Sequence, residues 1–449
     1  MAGDREQRLD GRFARLWAAS TTSALGSGLA TIAAPLLVAS RTDNPLVVSA
    51  SFGVSWLPWL LFALPGGVLV DRYDRRRMMI VIDAVRVAVI AVLAVAILTR
   101  HASIALLYSV LFVVNTGEVV FRSASQAMIP AVVPRPLLER ANGWLGGGAT
   151  LMQEMLAGPL GGFLFAVAAS IPFFVNAGTY AASAILIGLV AGRYRSPSQS
   201  AAAAGSPDAA RSSDPARSSD PAGASDAAGA GTFKAQIVEG FRWLMSQRLL
   251  RTMAVLIGLL NVTLTAATAV LVLLAKQRLH LGSVGYGLLF TCMALGAILG
   301  ALVGDWLIRR VTATWTIRIG LLIEAGMHLT LAASHSSYLI GFALFVFGVH
   351  GALWGIAASS LRQRLTPPDM LGRVGSTTLF ISAGGNCVGA LLGGVVADKF
   401  GLAAPYWVGF VVALAVSAAT WRVFDRASVA RAYAEPAVTE PSSEPATTG

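Results

Sequence analysis

The chain has few charged residues, few cysteines and few histidines, and each shortage excludes a class of protein. Only 13% of its 449 residues are charged, against roughly 25% in soluble globular proteins. Its two cysteines, Cys292 and Cys387, lie in separate apolar segments, which argues against a disulfide framework. Neither the cysteines nor the five histidines have the spacing of a metal site. We therefore expect no disulfide and no bound metal.

The sequence also lacks the motifs of nucleotide-driven and catalytic proteins. It contains neither the Gly-x-x-x-x-Gly-Lys loop that binds ATP phosphates nor the Gly-x-Ser-x-Gly turn of serine hydrolases. We expect neither an enzyme nor a cofactor. The net charge of +11 would suit nucleic acid, but the basic residues lie at the ends of apolar segments and form no stripe on a polar domain. Nucleic acid is therefore not an expected partner.

Apolar residues are abundant, at 55% of the chain, and the mean hydropathy is +0.67. A helix needs about 20 apolar residues to cross a hydrocarbon core of about 30 Å. Twelve segments meet this requirement, and runs of this length indicate helices because a strand needs fewer residues. We number them spans 1 to 12: 16–39, 47–70, 78–98, 104–124, 141–168, 171–191, 252–274, 284–308, 314–333, 338–360, 374–397 and 405–421.

The two halves of the chain resemble each other at an offset of 233 residues. The segment Gly67–Asp71 is echoed by Gly300–Asp305, and the basic pairs Arg76–Arg77 and Arg309–Arg310 keep the same offset. Duplicated apolar halves are typical of transporters with a pseudo-two-fold axis and a substrate path between the halves. The sequence predicts an all-α membrane protein with twelve transmembrane helices in two pseudosymmetric six-helix halves.

The distribution of Lys and Arg predicts the orientation, because cytoplasmic loops carry an excess of both. With the N-terminus in the cytoplasm, 28 of the 34 basic residues fall on the cytoplasmic side and five on the outer side. We expect a multi-pass protein of the inner (cytoplasmic) membrane with both termini in the cytoplasm. The predicted regions are a cytoplasmic N-terminus, a first half, a cytoplasmic linker (disordered, then an amphipathic helix), a second half and a disordered tail: 1–15, 16–192, 193–250, 251–424 and 425–449.

The loop after span 2 carries a charged motif, which starts at Gly67 and ends at Arg77. It resembles the signature loop of the major facilitator superfamily, Gly-x-x-x-Asp-Arg/Lys-x-Gly-Arg/Lys-Arg/Lys. It matches at Gly67, Asp71, Arg72, Arg75 and Arg76 and has Asp74 where the family usually has Gly. The resemblance implies a cytoplasmic gate in which Asp71 caps the start of span 11. For Arg76 and Arg77, a simple role as cytoplasmic anchors of the topology is favoured.

Span 5 contains Gly158-Pro159-Leu160-Gly161-Gly162. This is similar to the Gly-Pro-x-x-Gly-Gly core of the family's antiporter motif, which implies export. Ordinary packing of small residues is the alternative, since the glycines permit close approach of helices and Pro159 permits a kink. The segment from Ser125 to Asn142 resembles the branch of the family that contains siderophore and macrolide exporters.

Ionisable residues inside spans cost about 2.5–3.5 kcal/mol each on insertion scales, so each is a candidate for function. Asp83 and Arg86 are three residues apart on span 3, and we interpret them as a mainly structural buried ion pair. Glu118 on span 4 is the strongest candidate for binding a cationic substrate or a proton. Asn115 lies one turn before it and Arg122 one turn after; a Glu118–Arg122 pair is the structural alternative.

Six further polar positions are weaker candidates. Gln153 and Glu154 form a polar step on span 5, and Gln153 aligns with Asn386 in the second half. On span 10, His350 is a candidate for lining the cavity, although a lone His is more often simply hydrogen-bonded. On span 9, Glu324 and His328 are four residues apart, and we predict a structural pair between them. The first half holds most of these ionisable groups, which places any proton coupling there.

The favoured function is secondary active export of a small, moderately hydrophobic molecule, such as a drug, an antibiotic or a siderophore. Alternating access of the two halves in exchange for protons would drive it. The expected partners are the substrate, protons as the coupling ion and the lipid bilayer, and we expect a monomer. One alternative is a proton-coupled importer of a small metabolite. Another is a membrane sensor or lipid-handling protein that does not transport.

Overall fold

A computed structural model describes residues 9–190, 192, 194, 238–367, 370–421 and 423. The described chain is helical, with eleven helices or helical stretches long and apolar enough to cross a membrane and a shorter apolar helix at the position of span 12. The all-α prediction is confirmed. Spans 1 to 4, 6 and 8 to 12 are single helices: Gly11–Ala39, Pro45–Arg72, Arg75–Leu98, Ile104–Val132, Ile171–Gly188, Ser283–Val311, Ala313–Ala333, Ser337–Leu365, Leu371–Phe400 and Ala404–Thr420.

Several helices extend beyond the apolar segments that predicted them. Span 4 was expected to end at 124 but continues to Val132, and span 11 begins at Leu371 rather than 374. Polar side chains cap the starts of spans 1 to 4; for example, Asp10 accepts hydrogen bonds from the Arg12 and Phe13 amides. Hydropathy marks only the part of a helix that lies in hydrocarbon, whereas backbone hydrogen bonding continues into the polar layer.

Spans 5 and 7 are each made of more than one helix. Span 5 begins as the α-helix Leu138–Thr150, passes through the π-helical segment Leu151–Leu156 and ends as the α-helix Ala157–Val167. Span 7 consists of Arg248–Ala269 followed by Leu271–Gln277. Single-turn π segments are rare and are frequently found at functional sites. This one contains Gln153, a residue that the sequence had already singled out.

The helices pack as two groups that meet along spans 2 and 11 and along spans 5 and 8. The groups are closed against each other at the end that carries the loop 40–44, the predicted outer end. There Lys276 Nζ donates to Asp43 Oδ1 at 3.0 Å and to the Ala39 carbonyl at 2.9 Å. The buried apolar cluster at this end contains residues of both halves, such as Ala39 of the first half and Leu271 of the second. The clusters at the opposite end each belong to one half.

The contact of Asp43 with Lys276 also affects its ionisation. Hydrogen bonds from Lys276 and Gln277 lower the pKa of the Asp43 carboxyl below its usual value of 3.8. The loop between spans 1 and 2 is thus held to the end of span 7 by a charged pair, although both side chains are half exposed or more. An exposed pair of this kind contributes little by itself, so the apolar cluster beneath it supplies most of the closure.

A short helix over residues 238–246 precedes span 7. Leu244 is buried in a cluster that includes Met370 and Val374 at the start of span 11. Glu239 forms an ion pair of 2.9 Å with Arg373. The helix therefore packs against the second half. Most of the predicted linker, together with the predicted tail, lies outside the described residues.

Candidate functional site

A buried charged cluster occupies the centre of the first half. Arg86 Nη2 on span 3 lies 2.6 Å from Glu118 Oε2 on span 4, and both residues are less than 10% exposed. Ser27 on span 1 donates to the same carboxylate oxygen at 2.8 Å and lies 3.1 Å from the Tyr180 hydroxyl on span 6. Spans 1, 3 and 4 therefore meet at Glu118, and span 6 joins them through Ser27. A carboxylate held by an arginine and a hydroxyl is stabilised in its charged form.

Arg86 is the centre of this cluster. Its Nη1 lies 3.4 Å from Asp83 Oδ1, and its Nε donates to the Val114 carbonyl at 3.2 Å. The guanidinium carbon lies 4.6 Å from the centre of the Tyr180 ring, a cation–π geometry. The sequence treated Asp83–Arg86 and Glu118 as separate features, whereas the structure joins them through the shorter Arg86–Glu118 contact. Arg86 therefore forms ion pairs with both Asp83 and Glu118.

Arg122 connects the cluster to a more exposed region. Its Nη2 lies 3.6 Å from Glu118 Oε1 and 3.3 Å from Gln153 Oε1, and its guanidinium carbon is 5.3 Å from the Trp59 ring centre. The side chain is 44% exposed, in contrast to the fully buried Arg86. The structure thus brings together Glu118, Arg122 and Gln153, three of the predicted candidates, and adds Trp59.

Two other candidates of the first half have different surroundings. Asn115 donates from its amide to the Leu111 carbonyl at 2.8 Å, which is a local bond within span 4. The side chain of Glu154 lies outside the described residues. Sequence reasoning missed Ser27 and Tyr180. Ser27 reaches Glu118 from span 1, and Tyr180 reaches Ser27 and Arg86 from span 6, and no spacing along the chain relates these residues.

In the second half a cavity of about 550 Å³ lies among spans 7, 9, 10 and 11. His350 and Trp354 line it from span 10, Asn261 from span 7 and Glu324 from span 9. The prediction that Glu324 and His328 pair through their side chains is wrong. His328 Nδ1 bonds instead to the backbone carbonyl of Glu324 at 2.9 Å. No ion pair to the Glu324 carboxylate occurs among the described residues.

Asn386 does not reach this cavity's lining. Its side-chain oxygen accepts a hydrogen bond of 2.8 Å from the Thr265 hydroxyl, which ties span 11 to span 7. Gln153, its counterpart under the 233-residue offset, instead contacts Arg122 within the first half. The recurring polar position thus has different partners in the two halves.

The charged motif after span 2 is described only in part, since the side chains of Asp71 and Arg72 lie outside the described residues. Arg75 Nη1 donates to the Ala127 carbonyl at 3.1 Å and Arg76 Nε to the Ile187 carbonyl at 3.2 Å. Both contacts stay within the first half. Asp74, the departure from the family pattern, accepts from the Arg77 amide at 2.9 Å and so caps the start of span 3.

The glycines of the span 5 motif lie against two different helices. A Cβ at Gly158 would be 2.9 Å from the Gly287 carbonyl on span 8, and Gly162 lies against Ser283 on the same helix. A Cβ at Gly161 would be 3.1 Å from Ile32 on span 1. Gly158 and Gly162 therefore allow the two halves to touch backbone to backbone near the outer end.

These observations define a polytopic helical membrane protein of two halves, closed at one end, with buried charges in each half. The comparison with known families then gives the family. The model of the Major Facilitator Superfamily matches residues 16–376 and 252–446. The chain belongs to this superfamily and is one of its transporters, as the motifs predicted.

Relatives with curated names are exporters. Macrolide efflux protein A of Streptococcus pyogenes is 28% identical over 133 residues, which cover 30% of this chain and about a third (33%) of the relative. Enterobactin exporter EntS of Citrobacter koseri is 25% identical over 410 residues, covering 89% of this chain and 88% of the relative. The predicted resemblance to the siderophore and macrolide exporter branch is confirmed.

Solved structures with the same fold include transporters of other substrates. A bacterial homologue of the iron transporter ferroportin, in an inward-facing state, has a TM-score of 0.69 at 14% identity and covers 94% of this chain and 100% of its own. A point mutant of the nucleoside transporter NupG has a TM-score of 0.68 at 11% identity, covering 92% of this chain and 100% of its own. At such identities the likeness shows the fold alone.

Proposed function

We propose that the protein exports a small, moderately hydrophobic molecule in exchange for protons by alternating access. The observation that carries the proposal is the buried contact between Arg86 and Glu118, extended by Arg122 to a half-exposed position. Membrane-embedded ionisable groups are expensive and mark ion and substrate paths. Glu118 is the acid at this contact, and a proton on its carboxylate would remove the negative charge that faces Arg86 and Arg122.

Export is supported by two kinds of observation. The glycines of the span 5 motif form the contact between halves near the outer end, and in this family that motif accompanies export. The relatives are named for efflux of a macrolide and export of enterobactin. A drug, an antibiotic or a siderophore is therefore the proposed substrate class. Multidrug recognition is part of the same proposal.

Alternating access requires that the outer closure open and re-form. In the proposed cycle the contact of Asp43 with Lys276 separates, and Gly158 moves away from Gly287 on span 8. These two glycines meet through their backbones, so the halves can rock there with little repacking. The opposite end closes in turn, with the motif of Asp71 as the proposed gate.

Proton binding to Glu118 would change the balance of charge in the cluster. Asp83 and Glu118 offset Arg86 and Arg122, so the four side chains sum to zero. A proton on Glu118 leaves one positive charge in excess and weakens the attraction between Glu118 and Arg122. Because Arg122 also contacts Gln153 on the π segment of span 5, the released side chain gives a route from protonation to movement of span 5.

The test uses an efflux-deficient bacterial host with and without the protein. Accumulation of a panel of antibiotics and dyes is measured in the presence and absence of a protonophore. We expect lower accumulation that the protonophore abolishes, and we expect Glu118→Gln to abolish it as well. Glu139→Gln, the same change at an exposed position, is the matched control. Unchanged efflux in Glu118→Gln at equal membrane abundance would remove Glu118 from the mechanism.

We also propose that the protein acts as a monomer in the inner membrane with both termini in the cytoplasm. The excess of basic residues on one side supports this orientation. An Asp43→Cys variant tests the orientation. The native cysteines should give little background labelling, because Cys387 is buried and Cys292 is partly buried. Labelling of intact cells by a membrane-impermeant maleimide, above the level of the unchanged protein, is the expected result. Labelling only after lysis contradicts it.

A further inference from the structure

The buried acids of the two halves differ in their ion-pair partners. In the first half Glu118 has Arg86 at 2.6 Å and Arg122 at 3.6 Å, and Asp83 has Arg86 at 3.4 Å. In the second half Glu324 is 3% exposed, and neither an ion pair nor a hydrogen bond to its carboxylate is found among the described residues. A buried carboxylate without a partner is costly. A buried acid of this kind is stabilised either by a proton or by a cation that enters the site.

The cavity beside Glu324 is large enough for such a ligand. Its volume of about 550 Å³ is within the range of roughly 300–1,000 Å³ found for small-molecule sites. One wall is an aromatic row on span 10, where the His350 ring centre lies 6.0 Å from that of Phe347 and 6.4 Å from that of Trp354. Aromatic faces attract cations and bury apolar groups.

The polar groups of the cavity are few and specific. Asn261 on span 7 donates to Ser382 Oγ on span 11 at 2.6 Å, which leaves the Ser382 hydroxyl its own proton to donate. Nδ1 of His350 is buried and has no hydrogen-bond partner among the described residues. The imidazole lies directly against Gly320, one turn before Glu324. The acid and the imidazole therefore occupy neighbouring turns of the same cavity wall.

In the part of the chain that the structure describes, one cation, Arg362, also lines the cavity, but it lies far along span 10. It follows His350 by twelve residues, which is about 18 Å at 1.5 Å per residue. Arg362 is therefore too far along the helix from the level of His350 and Gly320 to compensate Glu324. No described cation is close enough to compensate Glu324, so a cation that enters the cavity would meet an acid without a competing partner.

We propose that this cavity binds the protonated amine of an amphipathic substrate, with Glu324 as the counter-ion and the row of Phe347, His350 and Trp354 against its apolar body. This inference rests on the proposed export function, because the bound amine is a substrate only if the protein transports it. It also restricts the substrate class, because an anionic molecule would face an uncompensated buried carboxylate. In this proposal Glu324, the acid that binds the positive charge of the substrate, belongs to the second half.

The test compares two fluorescent probes, one with a charged amine and one in which the same amine is acetylated and neutral. Dansylcadaverine carries a primary amine that is protonated at neutral pH, and its N-acetyl derivative is neutral. Each is titrated into the purified full-length protein in lipid nanodiscs, and dansyl emission is measured. We expect the amine to bind and Glu324→Gln to weaken its binding about tenfold or more, as for loss of a charged hydrogen-bond partner. The acetylated probe should bind equally to both proteins.

Two controls keep the outcome interpretable. Glu139→Gln should leave binding of both probes unchanged. Glu324→Gln should unfold at the same or a higher temperature than the unchanged protein, because it removes an unpaired buried charge. Equal weakening of both probes, or an amine that does not bind to the unchanged protein, would overturn the inference. Absence of efflux from cells with charge-selective binding intact would instead overturn the proposed export.

Discussion

Replacement of Arg86 by Gln is the most severe test of the buried cluster. The guanidinium is fully buried and serves Glu118 at 2.6 Å and Asp83 at 3.4 Å. Its loss leaves Asp83 without its cation and Glu118 dependent on the half-exposed Arg122. Breaking a buried ion pair from one side costs about 3–5 kcal/mol, and we expect the free energy of unfolding to fall by this amount.

A double-mutant cycle gives the magnitude of the contact itself. Glu118→Gln alone leaves Arg86 with the more distant Asp83, whereas the double variant places two neutral amides side by side. We therefore expect the double variant to be more stable than the sum of the single losses predicts, by about 1–3 kcal/mol. Unfolding in mixed detergent micelles, followed by tryptophan fluorescence, measures each corner of the cycle.

The control for this cycle is Arg140→Gln, the same substitution at an exposed position. It should change the free energy of unfolding by less than about 0.5 kcal/mol. Two results would refute the reasoning. One is an Arg86→Gln variant as stable as this control, and the other is a double variant whose loss equals the sum of the single losses.

The remaining predictions concern the outer closure. Gly158→Ala would place a Cβ 2.9 Å from the Gly287 carbonyl, and we expect this overpacking to lower the stability by about 1–3 kcal/mol. The control is Gly178→Ala, where nothing lies within 4 Å of the added Cβ. Thermal unfolding should show no such loss for the control. Asp43→Asn should lower the thermal stability at pH 6, because the charged carboxylate accepts from Lys276. The pKa of Asp43 is lowered below 3.8 in the closed state, so the difference from the unchanged protein should be present above pH 3.8 and disappear as the pH falls through the lowered pKa. A difference that grows on acidification would contradict the contact's role.

Hydropathy predicted the number and order of the spans, because each apolar segment must satisfy its own backbone within lipid. The positions where this reasoning was incomplete are informative. Span 4 continues to Val132, and span 5 changes from α to π geometry at Leu151. Neither feature has an apolar signature, since both depend on backbone hydrogen bonds that hydropathy does not measure. Gln153 was selected for its polarity, and the π segment around it came only from the fold.

Spacing along one helix was a less secure guide to side-chain partners. Asp83 and Arg86, three residues apart, do lie together, at 3.4 Å. Glu324 and His328, four residues apart, do not pair, because His328 Nδ1 bonds to the backbone of span 9. The remainder of the imidazole packs against Gly409 on span 12. The neighbouring helix, which the spacing does not reveal, decided where each side chain lies.

The sequence by itself determined that the chain crosses a membrane many times, that its halves are duplicated and that it belongs to a transporter superfamily. These properties follow from composition, periodicity and local motifs. Only the tertiary structure decided that Glu118 is held by Arg86 from span 3 and Ser27 from span 1. It also decided that Glu324 faces a cavity with no ion-pair partner for its carboxylate among the described residues. Contacts between spans depend on the rotation and depth of each helix, and those are set by packing among all twelve.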